Sequence, residues 1–183
     1  FYGFGEQAGA LDKRGLRMRL LNIDAIGYDA ETSDPLYKHI PFYITYAADL
    51  DIAYGIFYDN LAATIFDLGH EVNGGLGNYH YYQADDGDLD YYLIYGKTIE
   101  RGIERYTWLT GRPARLPRYA LGYLGSTMSY TEAPDAQAQL ARFAELCQLH
   151  DIPCDMFHLS SGYTTSATGK RYVFQWNHDR VPD

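Results

Sequence analysis

The stretch "APDAQAQLARFAELCQLHD" (133–151) is the clearest helix in the chain, and it decides the fold class of the C-terminal part. Four apolar side chains recur at the i, i+3, i+4 and i+7 spacing that places them on one helix face: Leu140, Phe143, Ala144 and Cys147. Pro134 suits the first helical turn, where a missing N–H costs no hydrogen bond. Pro153 ends the helix, because proline cannot continue the backbone hydrogen bonding.

A strand candidate flanks this helix on each side, with "ALGYLGSTMSY" (120–130) before it and "CDMFHL" (154–159) after it. A helical crossover of this length lets the two strands pair in parallel. A parallel strand–helix–strand unit must bury both faces of its strands, and a single unit of this kind is rarely stable by itself. We therefore interpret the chain as a β domain followed by the opening of a larger α/β domain. The alternative is a complete small α+β protein.

Residues 1–110 carry a different pattern, that of short antiparallel strands. Aromatic and β-branched segments recur at spacings of about ten residues. They are "PFYITY" (41–46), "AYGIFYDN" (53–60), "YHYYQA" (79–84) and "DYYLIYG" (90–96). Turns rich in Gly, Asn and Asp separate several of these segments, a pattern typical of a β-sandwich. A helix is predicted over 99–111.

The composition excludes several classes of function. The chain has 183 residues, of which 46% are hydrophobic and 16% aromatic, with 19 tyrosines and a formal net charge of −9. This charge argues against a nucleic-acid partner and an anionic membrane surface, because both require basic patches. A neutral carbohydrate is compatible with it, and tyrosine packs its ring while keeping a hydroxyl for hydrogen bonds.

No cofactor, metal or membrane segment is expected. The sequence has no apolar run of about 18 residues and no signal peptide in the covered stretch, so we expect a soluble chain and assign no compartment. Cys147 and Cys154 lie at a helix end and a strand start without a zinc pattern, and we expect packed thiols there; the alternative is a disulfide bridge. An acidic run lacks the glycine and terminal glutamate of a calcium loop and predicts a solvated turn: Asp85, Asp86, Asp88 and Asp90.

A series of motifs carries a resemblance to a known family. In order they are "YGFGEQAGALDKRG" (2–15), "NIDA" (22–25), "DPLYKHIPF" (34–42), "YGIFYDN" (54–60), "GDLDYYLIYG" (87–96), "RYTWLTGRPARLPRYALGY" (105–123), "IPCDMFHL" (152–159) and "FQWNHDRVPD" (174–183). This ordered set resembles glycoside hydrolase family 31, the α-glucosidase and α-xylosidase family. The predicted fold class is therefore α+β and mostly β. The resemblance implies a galactose-mutarotase-like antiparallel β-sandwich over 1–115, then the first strands and helix of a truncated (β/α)8 barrel over 116–183.

Members of this family are retaining enzymes that use two carboxylates, one as nucleophile and one as proton donor. The resemblance places both on barrel strands downstream of the matched motifs, and neither is found in this sequence. It thus implies a fragment of a retaining α-glycosidase that hydrolyses α-linked glycosides or oligosaccharides. The fragment itself is expected to be inactive, with no catalytic residue of its own.

We single out these residues as substrate-binding candidates: Asp24, His158, Ser160, Ser161, Tyr163 and Trp176. Asp24 matches a loop that the family's sandwich sends toward the barrel mouth; the alternative is a surface turn near Gly27. His158 is either a sugar donor or a core imidazole bonded inside the barrel. Trp176 either stacks on a sugar face or packs beside the barrel. Glu6 is interpreted as structural, in a salt bridge.

Ser160, Ser161 and Tyr163 follow the second barrel strand, at the barrel end where active sites lie. The family often has a carboxylate on this stretch, and "HLSSGYT" (158–164) has none, which points to a different sugar contact or substrate preference. The alternative is a strand that ends in a glycine turn. Ser126, Ser129 and Tyr130 are expected to end the first strand in the same way.

Two other functions stay open from the sequence. One is a non-catalytic carbohydrate-binding β-sandwich module, which has no need of the barrel-like tail. The other is an interaction domain that assembles through its sheet edges. Because a truncated barrel exposes strand edges and apolar faces, we expect this chain to self-associate.

Overall fold

The computed structural model describes residues 1–172 and 174–183, and the chain divides into two compact units, 1–112 and 113–183. The described residues are mostly β. The strands are β1 (Tyr2–Gly3), β2 (Arg17–Leu20), β3 (Phe42–Ala47), β4 (Ile52–Tyr58), β5 (Thr64–Asn73), β6 (Gly77–Ala84), β7 (Tyr91–Lys97), β8 (Leu124–Ser126) and β9 (Met156–His158). The α-helices are α1 (Ile99–Thr110), α2 (Met128–Thr131) and α3 (Ala136–Leu149).

The first unit consists of two antiparallel sheets, with strand orders β1-β3-β4-β7 and β2-β5-β6. The predicted strands at 41–46, 53–60, 79–84 and 90–96 are confirmed as β3, β4, β6 and β7. The two sheets face each other across a core of Phe4, Met18, Leu20, Tyr43, Phe66 and Leu68. Aromatic side chains dominate this core because each ring buries a large apolar area.

Strand β3 is buried on both of its faces. Tyr43 points to the core between the sheets, whereas Phe42 and Ile44 point to the opposite face. Helix α1 covers that opposite face, and the rings of Phe42 and Tyr106 stack with centroids 3.8 Å apart and planes 1° from parallel. The side chain of Thr98 caps α1 by accepting a hydrogen bond from the Arg101 N–H at 3.3 Å.

The second unit contains the predicted parallel crossover. β8 and β9 pair in parallel, with Leu124 opposite Met156, Gly125 opposite Phe157 and Ser126 opposite His158. Helix α3 connects them and packs Phe143 on Phe157, with ring centroids 5.2 Å apart. Gly125 leaves room for this ring, since a Cβ there would lie 3.1 Å from Phe143.

The prediction of one strand over 120–130 is wrong at both ends. A 3-10 helix precedes β8 at Arg118–Leu121, and α2 follows it. The Thr127 hydroxyl accepts the Ser129 N–H at 3.2 Å and starts α2, so Ser129 and Tyr130 are helical and do not end the strand. Tyr130 packs on Phe143 with ring centroids 5.9 Å apart.

Helix α3 begins at Ala136 rather than at 133, because Asp135 occupies the N-cap position with non-helical backbone angles. Pro134 therefore precedes the helix and is not in its first turn. Over the residues that the structure describes, no helix combines the length and apolar character needed to cross a membrane.

Candidate functional site

The C-terminal end of β9 carries the first group of candidate residues. His158 is the last residue of the strand and is exposed in this chain, which spans only the first two strands of the barrel. Ser160 precedes a 3-10 helix over Ser161–Thr164, in which the Thr164 hydroxyl donates to the Ser161 carbonyl at 2.8 Å. The polar stretch is thus a helical turn packed on the unit.

Gly162 holds that turn against α2. A Cβ at Gly162 would overlap the backbone carbonyl of Thr131, so only glycine permits this approach. Thr131 is itself fully buried. The turn that presents Ser160, Ser161 and Tyr163 is therefore positioned by contact with the helix that follows β8.

Tyr163 and Trp176 are brought together by the fold. Their ring centroids are 5.1 Å apart, with planes at 53°. The Trp176 Nε1–H donates to the Val181 carbonyl at 2.7 Å, which orients the indole, and 43% of the residue remains exposed. The Trp176 ring thus packs on Tyr163 and is also reachable from solvent, and its stacking on a sugar stays a prediction.

Asn177 was missed by sequence reasoning and connects these two segments. Its backbone N–H donates to the Tyr163 carbonyl at 2.8 Å, and its side-chain amide donates to the Thr165 carbonyl. Its Oδ1 accepts the N–H groups of Asp179 at 3.0 Å and Arg180 at 3.3 Å. An asparagine that begins a polar turn was the available signal, because its side chain often bonds backbone groups two and three residues on.

A cavity of about 320 Å³ lies beside Trp176. Its lining is rich in groups that form neutral hydrogen bonds, among them Thr164, Thr165, Tyr172, Gln175 and Asn177. His178 and Asp179 also line it. Hydroxyl and amide groups beside an exposed aromatic ring can bind a polyhydroxylated ligand, with the ring covering an apolar face of the sugar.

Asp24 belongs to the first unit and lies exposed in the loop between β2 and β3. The loop is anchored by Asn22, whose Oδ1 accepts the His39 N–H at 2.8 Å. Desolvation and then the nearby Asp24 carboxylate raise the pKa of the Tyr37 hydroxyl. Tyr37 and Tyr28 line a cavity of about 350 Å³. Asp24 thus has an aromatic neighbour that the sequence did not indicate.

Glu6 is in a salt bridge, as predicted, with Lys38 Nζ at 2.7 Å from its Oε1. Asn60 organises the acidic turn: its side-chain amide donates to the carbonyls of Asp86 at 2.9 Å and Asp88 at 3.3 Å. Among the described side chains, no three or more His, Cys, Asp or Glu residues converge as metal ligands.

The architecture defines a class: an aromatic β-sandwich joined in sequence to a parallel β/α unit with a polar turn after its second strand. Residues 1–67 match the glycosyl hydrolase 31 N-terminal galactose mutarotase-like domain, and residues 113–183 match the glycosyl hydrolases family 31 TIM-barrel domain. The chain therefore belongs to glycoside hydrolase family 31.

Similar proteins include alpha-glucosidase 2 of Bacillus thermoamyloliquefaciens, 36% identical over 100% of this chain and 21% of the relative. Alpha-xylosidase XylQ of Lactiplantibacillus pentosus is 30% identical over 100% of this chain and 22% of the relative. A family 31 dextranase of Flavobacterium johnsoniae, solved with isomaltotriose, superposes with a TM-score of 0.75 at 31% identity, covering 98% of this chain and 20% of that one. The chain thus spans about a fifth of the length of these relatives.

Proposed function

We propose that the whole protein is a retaining α-glycosidase that hydrolyses α-linked glycosides or oligosaccharides. The observation that carries this proposal is the order of the two family 31 domains along the chain, with a dextranase of that family superposing on 98% of it. We assign residues 1–115 to the β-sandwich domain and 116–183 to the start of the catalytic barrel.

The chemistry requires two carboxyl groups about 5–5.5 Å apart on one rigid rim. One carboxylate attacks the anomeric carbon and forms a glycosyl-enzyme intermediate, while the other carboxylic acid protonates the leaving oxygen. Water then hydrolyses the intermediate with the second group acting as base. We assign both groups to sequence outside these 183 residues, so the chain alone is expected to be inactive.

The role that we assign to this chain is substrate binding. His158 ends β9, and Ser160, Ser161 and Tyr163 follow it, at the end of a strand where substrates bind in a barrel. Their hydroxyl and imidazole groups form hydrogen bonds with a neutral sugar without adding negative charge. Trp176 offers a ring face beside them, and Asp24 is the candidate from the sandwich loop.

A direct comparison of two proteins tests this function. The longer gene product and the 183-residue chain are assayed on p-nitrophenyl α-glucoside, α-xyloside and isomaltotriose. We expect the longer protein to hydrolyse at least one of them and the chain to hydrolyse none. An inactive longer protein, together with tight sugar binding by the chain in calorimetry, would instead support a carbohydrate-binding module.

We further propose that the 183-residue chain self-associates through its exposed apolar surface. β7 is the edge strand of its sheet, and it exposes Tyr91, Leu93 and Tyr95 on alternate positions. Trp108 and Leu109 of α1 line a cavity with Leu93 and Tyr95. Such an edge pairs readily with a second copy, because its outer backbone groups and apolar side chains are both available.

A further inference from the structure

We propose that Cys147 and Cys154 form a redox-active dithiol, which closes to an intramolecular disulfide by exchange with a small-molecule disulfide. Both are free thiols in the structure, Cys147 buried and Cys154 half-buried. The proposal concerns a reversible modification site between α3 and β9, and it is independent of the glycosidase assignment.

The fold places the two cysteines at one cavity. This cavity has a volume of about 270 Å³, lies between α3 and β9, and is lined by both cysteines together with Leu140, Phe143, Ile152 and Met156 among others. The Ile152 N–H donates to the Cys147 carbonyl at 2.8 Å, so the chain turns back directly after the helix. Cys154 follows two residues later, and its thiol donates to the Met156 carbonyl at 3.5 Å.

The two thiols differ in how readily they react. Burial raises the pKa of the Cys147 thiol, and the electrostatic influence of the neighbouring Cys154 raises it further. Cys147 is therefore protonated at neutral pH and is a poor first nucleophile. Cys154 is the more accessible thiol, so it meets an external disulfide first.

Closure then takes two exchange steps. The Cys154 thiolate attacks one sulfur of the disulfide RSSR, forming a Cys154–S–S–R bond and releasing RS⁻. The Cys147 thiol gives its proton to solvent, and its thiolate attacks the Cys154 sulfur and expels the second RS⁻. In sum, two protein thiols are oxidised and one RSSR is reduced to two RSH.

The bridge has a defined structural consequence. It ties the last turn of α3 to the segment that enters β9, and the other end of β9 carries His158. Residues 148–153, between the two cysteines, consequently have less conformational freedom in the oxidised chain than in the reduced one.

Intact-mass spectrometry of the 183-residue chain tests the proposal. The reduced protein is equilibrated with oxidised and reduced glutathione, quenched with acid, and alkylated after unfolding. We expect an unalkylated wild-type product without a glutathione adduct. Cys147→Ser should accumulate a glutathione adduct on Cys154, which establishes that Cys154 is accessible. Cys154→Ser should remain largely unmodified until it is unfolded.

The same titration in urea tests whether the native fold favours the disulfide, or whether the short sequence separation of the two cysteines is enough to form it. We expect the effective concentration of the closing thiol to be at least about tenfold higher in the native protein than in urea, because the fold places both cysteines at one cavity. A wild-type protein that keeps a glutathione adduct, forms only intermolecular dimers, or closes less readily when native than in urea would overturn the proposal.

Discussion

Arg17 donates from its Nε to Asp67 Oδ2 at 3.0 Å, and the Asp67 side chain is fully buried between the strands. The other carboxylate oxygen accepts backbone N–H groups from Gly69 at 3.0 Å and His70 at 2.8 Å, with Glu71 at 3.3 Å. These contacts straddle the register shift between Leu68 and Val72 in β5. A single buried carboxylate thus satisfies the backbone groups that the β-bulge frees from the ladder.

Replacing Asp67 with Asn should make stability less dependent on pH. Burial raises the pKa of Asp67, but the N–H donors of Glu71 and His70, Arg17 and the Gly69 N–H lower it more, so the net shift is downward. The resulting stabilisation is fully present above the unfolded pKa of about 4 and is lost as pH falls through the lower folded value.

Urea unfolding of the wild type and the Asp67→Asn variant between pH 3 and pH 7 measures this contribution. We expect the wild type to be more stable by about 2 kcal/mol at pH 7, with a smaller difference at the acidic end. A difference that stays constant across the range would mean that the charge of Asp67 does not contribute. Asp67→Ala should cost about 3 kcal/mol or more, since it leaves buried groups unpaired.

Gly162→Ala should destabilise the second unit by about 1–3 kcal/mol. The added Cβ overlaps the Thr131 carbonyl, and the backbone on that side cannot move without disturbing α2. Gly74→Ala is the matched control, because no atom lies within 4 Å of its Cβ position. Thermal unfolding should separate the two variants, and equal melting temperatures would contradict the contact between the turn and α2.

Tyr163→Phe in the longer protein should lower kcat/KM for α-glycosides by about three- to tenfold, the value of one neutral hydrogen bond. Its ring contact with Trp176 is retained, so the fold should be unaffected. Tyr119→Phe changes an exposed tyrosine outside the candidate site and serves as the control. Unchanged kinetics in Tyr163→Phe would show that the Tyr163 hydroxyl does not contact the substrate.

Leu93→Lys should shift the 183-residue chain toward the monomer in size-exclusion chromatography at high concentration. A lysine on an edge strand disfavours pairing, because a second copy would bury its charge. Leu61→Lys is a fair control, since Leu61 is 85% exposed and lies outside the strands. If the wild type elutes as a monomer at every concentration, self-association is excluded.

The strands that could be predicted share one property: their aromatic and β-branched residues are contiguous, as in β3, β4, β6 and β7. β5 was missed although it is the longest strand, at 10 residues. Asp67 and Gly69 interrupt its pattern, and their place in a strand depends on Arg17, which is remote in sequence. Local propensity carries no information about such a partner.

The candidate site likewise has some features that the sequence could predict and others that it could not. The position of Ser160, Ser161 and Tyr163 after a parallel strand followed from the periodicity of the preceding helix. The contact between Tyr163 and Trp176, and the hydrogen bonds of Asn177 that hold it, did not. They depend on the path of the intervening chain, which only tertiary packing determines.

The sequence by itself determined the β-sandwich pattern, the parallel crossover, the resemblance to family 31 and the polar character of the turn after β9. These are consequences of local periodicity and motif order. The tertiary structure alone decided that Ser129 and Tyr130 are helical, that Tyr163 contacts Trp176 and that Cys147 and Cys154 share a cavity. Each of these depends on which distant groups satisfy a hydrogen bond or exclude water, and local residue preferences do not encode that.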